Sequence, residues 1–192
     1  MQVVTNLENN NCSFPVWKTV TLGRFQNHDE YIKAIESRGF YIPRVGRGVV
    51  LKTSLATEKS QANLVRVTAE DFGLHPKASL WEIRDKHKEF GLTLCRREVA
   101  LALREEYLDQ PQGEVLWPVT EELKAGGEIG VLSVGHEANR GVWLAFGCGT
   151  GCWAGKWRLA HLSPANQIKY VPQNVCECAW SRCKIEALFE KK

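Results

Sequence analysis

The pattern of the chain changes at Asp109-Gln110-Pro111-Gln112-Gly113. Before this turn, apolar residues recur three and four apart in several stretches, the spacing of amphipathic helices. After it come short β-like runs separated by Gly, Asn, Pro and Ser, the texture of a small sheet or barrel. The sequence therefore reads as α+β. Residues 1–13 form a loose, polar N-terminus, residues 14–113 an α/β portion with about three short helices, and residues 114–192 a β-rich, Cys-rich portion. The last two can equally form one continuous domain.

Local signals place the elements. Val16–Leu22 alternates as a strand, with Val20 and Leu22 on one face and Trp17, Thr19 and Thr21 on the other. A helix follows, capped by Asn27 or Asp29, carrying Tyr31, Ile32 and Ile35, and stopped at Gly39. The segment GRGVVL reads as a turn and short strand to Leu51, and TSLATEKSQAN as a polar connection. Leu64–Val67 is a further β-run. Thr68 with Asp71 resembles a capping box for one helical turn. The clearest signal is Ser79-Leu80-Trp81-Glu82, a capping box that opens a helix with Leu80, Ile83, His87 and Phe90 as its stripe and Gly91 as its stop. A third helix is expected over 96–107, with Val99, Leu103 and Tyr107 on its apolar side. Five β-runs follow, at 115–117, 130–134, 142–146, 157–162 and 167–171, with a hairpin turn over 135–141. The tail SRCKIEALFEKK reads as a short closing helix with Ile185, Leu188 and Phe189 inward.

Composition narrows the class. An apolar fraction of 44% and a charged fraction of 24% are those of a folded globular chain. A formal charge of +3 does not by itself indicate an electrostatically driven nucleic-acid binder. MQVVTNLENNNCSF lacks the basic and apolar regions of a secretory signal, and no run reaches the roughly 18 apolar residues that span a bilayer. A cytoplasmic protein with no membrane association is expected, in a reducing compartment that disfavours a disulfide framework.

The segments VWKTVTLG, EDFGLHPKASLWEI, GLTLC, REVALALREEYLDQPQGE and GHEANRGVWLAF resemble an uncharacterised family of small bacterial proteins found in environmental and candidate-phylum genomes. The resemblance spans residues 15–146, and its most distinctive piece is the run from Tyr107 to Glu114. It implies no activity. The similar proteins carry a Pro where this chain has Arg96, and a shorter C-terminal region without the cysteine cluster, so a cysteine site would be an addition of this lineage.

Five of the seven cysteines lie beyond residue 145. Cys148, Cys152, Cys178 and Cys183, with Cys176 among them, have some of the close spacing of a structural zinc site. Ordinary reduced thiols and disulfides are the other two readings, and the cofactor is accordingly none or one structural zinc. Cys95 and His87 could form a nucleophile–base pair only by spatial adjacency. Cys95 sits in an apolar LTLC stretch and His87 on a helix stripe, the places of a buried thiol and a core histidine. The glycines of 46–48 and 147–155 lack the order of a phosphate loop.

Trp143, Trp153, Trp157 and Trp180 crowd the β-rich end beside Lys156, Arg158 and His161. Aromatics interleaved with cations stack a base or a nucleotide ring and hold its phosphate, although large aromatics also fill small cores. The leading expectation is a non-enzymatic binding protein that docks a protein partner or a small polar, nucleotide-like ligand. Trp143, Trp157, Arg158 and His161 are the candidate contacts. The alternative is a zinc-stabilised accessory protein associated with nucleic acid. An enzyme of unrecognised type comes third, and an origin in a mobile element, which would suit a small binder, is not shown by the residues.

Overall fold

The computed structural model describes residues 14–147 and 185–191. In chain order the elements are β1 (Lys18–Leu22), α1 (His28–Ser37), α2 (Arg44–Val50), β2 (Ser60–Val67), α3 (Leu80–Lys86), α4 (Val99–Glu106), β3 (Val115–Pro118), β4 (Leu123–Ala125), β5 (Glu128–Glu137), β6 (Gly141–Gly147) and β7 (Glu186–Glu190). Single 3-10 turns occupy Glu70–Phe72 and His87–Phe90. The architecture is α+β, with one mixed seven-stranded sheet.

The sheet runs β1-β2-β7-β3-β5-β4, with β6 on the other edge of β5. All pairs are antiparallel except β3 with β7. The last described strand thus sits in the middle of the sheet. Side chains alternate across each strand, so the sheet divides two cores. Leu64 of β2 and Leu188 of β7 enter the first core, with Tyr31, Ile35, Val49, Val50 and most of α4. Val65, Val67, Ala187 and Phe189 enter the second, under Phe72, Leu80 and Ile83. Phe72 stacks on Phe90 in that layer, with ring centroids 4.5 Å apart.

Two of the expected caps form, with Asn27 rather than Asp29 capping α1. The Asn27 side chain accepts from the Glu30 amide at 2.9 Å, and Gly39 takes a φ of 77° at the end of α1. Ser79 and Glu82 exchange hydrogen bonds in both directions. The helix they open gives way at His87 to the 3-10 turn that ends at Gly91.

Two expectations are overturned. GRGVVL is helical as part of α2, because Val49 and Val50 are buried in the first core and Gly46 packs against the β6 backbone, where a Cβ would meet the Leu144 carbonyl at 3.3 Å. The tail at 186–190 is a strand, since both of its faces are buried between β2 and β3. The β2 strand also begins four residues ahead of Leu64, at Ser60. The β-runs expected at 157–162 and 167–171 lie outside the described residues.

Candidate functional site

α4 carries charge into the first core. Glu98 caps it and is buried. One carboxylate oxygen accepts from the Gly23 amide at 2.8 Å and the Tyr31 hydroxyl at 2.5 Å, the other from the Ala56 amide at 2.6 Å. Burial, followed by the hydrogen bond and charge of Glu98, pushes the Tyr31 phenol above its ordinary range. Glu105 accepts from Arg24 at 2.5 Å and Arg38 at 2.6 Å. Glu106 accepts from the Thr21 amide at 3.0 Å. Thr21 and Gly23 lie at the outer edge of the sheet, so the carboxylates of α4 occupy amides that an edge strand would otherwise offer to another chain.

Arg104 is fully buried on the same helix. It donates to the Gln110 side-chain oxygen at 2.5 Å and to the Tyr107 carbonyl, and its guanidinium carbon stands 4.6 Å from the centre of the Phe40 ring. Burial lowers its pKa to about 10. Gln110 in turn donates to the Val134 carbonyl at 3.4 Å. These groups lock the turn after α4 onto β5.

The end of α4 is where aromatic rings and cations come together at the surface. Trp17 and Tyr107 meet edge to face at 5.3 Å. Lys18 places its ammonium 4.6 Å from the Tyr107 ring centre, and the Arg66 guanidinium carbon lies 5.8 Å from that of Trp17. Arg66 is gripped by Glu114 at 2.7 Å and by Glu186. Burial works against its charge, and the two carboxylates outweigh it, so its pKa is raised. Tyr107 is pushed up to about 12 by burial and then by the Glu114 carboxylate. Trp17, Lys18 and Arg66 stay partly exposed, and Val16 and Leu108 beside them are exposed. Tyr107 itself is 7% exposed, so what reaches the surface here is the Trp17 ring, the Lys18 ammonium and the Arg66 guanidinium with its two carboxylates.

Of the candidate ligand contacts and metal ligands singled out from the sequence, Trp143 alone lies in the described part. It is 7% exposed and its ring crosses Gly135, where a Cβ would come within 2.2 Å of the indole. The small residue makes room for the large one across the β5–β6 ladder. Trp157, Arg158 and His161, and the thiols Cys148, Cys152, Cys178 and Cys183, lie outside the described residues. Among the described residues no group of three or more His, Cys, Asp or Glu could hold a metal ion, and no helix is long and apolar enough to cross a membrane.

Cys95 and His87 each turn a polar atom to a backbone carbonyl. The Cys95 thiol donates to Leu188 at 3.2 Å, and His87 Nδ1 contacts the Arg84 carbonyl while its ring stacks on Phe189 at 5.7 Å. Burial pushes the thiol well above its usual pKa, which suppresses the thiolate a nucleophile requires.

Sequence reasoning placed Trp17 on a strand face and Tyr107 on an apolar helix face without joining them. The available signal was the Pro111–Gly113 turn, which folds Glu114 back beside Tyr107. No family model, no curated protein and no solved structure matches the chain.

Proposed function

We propose that this protein is a non-enzymatic binding protein whose ligand is small, polar and nucleotide-like, with a planar ring and an anionic group. The observation that carries the reading is the Trp17–Tyr107 pair with Lys18 over its rings and Arg66 held beside it by Glu114 and Glu186. A planar ligand exchanges for Lys18 on the ring face and takes the displaced ammonium as its counter-ion. Arg66, fixed on both sides, presents its charge beside the Trp17 ring at no further ordering cost on binding. The site adjoins Glu186, where the C-terminal half that holds Trp157, Arg158 and His161 in sequence rejoins the sheet.

The test is a tryptophan-fluorescence titration of the full chain with nucleoside monophosphates, cyclic nucleotides and dinucleotides. Saturable, weakly salt-dependent binding is expected, weakened by about 1–3 kcal/mol in Trp17→Ala, the worth of a stacked base. Lys18→Met is expected to reduce affinity for the phosphorylated ligand and not for its nucleoside. Recovery of a chemically altered ligand with turnover contradicts the non-enzymatic reading. A Trp17→Ala variant that binds like the native chain removes the site.

A further inference from the structure

The outer face of α2 has a chemistry separate from the site at Tyr107. At about 100° per residue, Arg47, Leu51, Arg44, Gly48 and Lys52 fall on one arc, opposite the buried Gly46, Val49 and Val50. α2 contains no acidic residue, and Arg47 pairs with exposed Glu36 of α1. Among the described residues neither Arg44 nor Lys52 has a carboxylate within ion-pair distance. Leu51 is 51% exposed, and Tyr41, whose backbone pairs with β6 just ahead of the helix, is 54% exposed.

The two glycines of α2 have different reasons to be there. Gly46 is required by the close packing on Leu144, whereas a Cβ at Gly48 would meet nothing within 4 Å. Glycine inside a helix costs stability relative to alanine, and nothing inside the fold repays that cost at Gly48. With no side chain at Gly48, the helix backbone is left bare between Arg44, Leu51 and Lys52. A rise of 1.5 Å per residue sets Arg44 and Arg47 about 4.5 Å apart along the helix axis, and Lys52 follows in the turn just past the end of α2. That row suits a repeating anion better than a single one.

We propose that this face binds the sugar–phosphate backbone of a single-stranded nucleic acid. Arg44, Arg47 and Lys52 neutralise successive phosphates, Gly48 admits the backbone, and Tyr41 offers its ring to an unstacked base. The modest overall charge of +3 is no obstacle, since Arg44, Arg47 and Lys52 fall within nine residues that include no acidic one. The proposal is independent of the ligand site at Tyr107.

The experiment is fluorescence anisotropy of a labelled oligothymidylate and oligouridylate with the full chain. Three phosphate contacts at about 0.7 each give a log–log salt slope near −2, an affinity loss of about 20-fold for a fourfold rise in salt. Arg44→Glu and Lys52→Glu are each expected to weaken binding at least about tenfold and to flatten the slope. Gly48→Ala separates the proposal from a structural role, because it is expected to raise the melting temperature while weakening binding. Unchanged affinity in Gly48→Ala together with both charge reversals overturns the proposal. So does loss of binding in Trp17→Ala alone, or equal competition by polyglutamate or by phosphatidylserine vesicles.

Discussion

The Glu98 carboxylate and the Tyr31 hydroxyl, 2.5 Å apart and both buried, tie the start of α4 to the inner face of α1. The same carboxylate holds the Gly23 and Ala56 amides, so one side chain joins four segments distant in sequence. Its removal leaves a hydroxyl and two amides without partners in a core, each worth about 1–3 kcal/mol when orphaned. Glu98→Ala is expected to cost about 3–5 kcal/mol and Tyr31→Phe about 1–2 kcal/mol, with the double variant less destabilised than their sum. Urea denaturation of the four proteins measures it. Strict additivity would mean that the pair is not coupled.

Alkaline pH probes the same contact. The Tyr31 phenol is held above its ordinary range by burial first and by Glu98 second. Below that range, about pH 10, both the folded and the unfolded chain keep the proton, and the stabilisation is fully present. As pH rises further the unfolded chain ionises while the folded one does not, so stability falls by about 1.4 kcal/mol per pH unit for each such group. Tyr107, pushed up to about 12, adds to the fall in the same direction. Tyr31→Phe is expected to be less stable at neutral pH and to lose less on going to high pH. Denaturation curves between about pH 8 and pH 11 give the comparison, and parallel curves for the two proteins would contradict the assignment.

The caps of α1 and α3 were legible because each is local: Asn27 with Glu30, and Ser79 with Glu82, carry their own geometry within one helical turn. α2 was not, since its two glycines and three valines argue against a helix and only contact with β6 settles the matter. β7 was misread for the opposite reason. Ile185, Leu188 and Phe189 have helical spacing, yet the buried middle of the strand, Ala187-Leu188-Phe189, is apolar on both faces and loses the alternation that marks exposed strands. The polar face of α4 hid most. Glu98 and Glu105 look like a solvated surface in sequence, and their partners at Gly23, Arg24, Tyr31, Arg38 and Ala56 are brought to them by the fold alone. The site at Tyr107 depends likewise on strands far apart in the chain.

The C-terminal thiols have three possible states with three different measurements. A structural zinc held by Cys148, Cys152, Cys178 and Cys183 is expected to give about one equivalent of metal, and Cys148→Ser or Cys183→Ser is expected to lower both metal content and melting temperature, because binding energy is folding energy. Metal-free protein with an unchanged melting curve in chelator contradicts zinc. Thiol counting under denaturing, non-reducing conditions then separates reduced cysteines from disulfides.

Residues 185–192 are expected to be indispensable, although terminal segments usually tolerate removal. β7 pairs with β2 through Leu64↔Glu190 to Val67↔Ala187, and with β3 through Leu116↔Glu186 to Pro118↔Leu188. Ala187, Leu188 and Phe189 are completely buried, shared between the two cores. In addition to these ladders, Glu190 exchanges backbone hydrogen bonds with Thr93, and the Leu188 carbonyl accepts from Val119 at 2.9 Å. Deleting the strand opens both cores at once and leaves β2 and β3 as two facing edges. The Leu188 and Phe189 side chains alone represent about 1.5–3 kcal/mol each of burial, before the cavities and the unpaired backbone are counted, against a typical total stability of about 5–15 kcal/mol. A chain ending at Lys184 is expected to lack a cooperative thermal transition and near-ultraviolet circular dichroism. Phe189→Ala in the full chain is expected to fold with a loss of about 3–5 kcal/mol. A truncated chain that melts cooperatively near the native temperature would show that β7 is an accessory strand, and the continuous seven-stranded sheet would have to be abandoned.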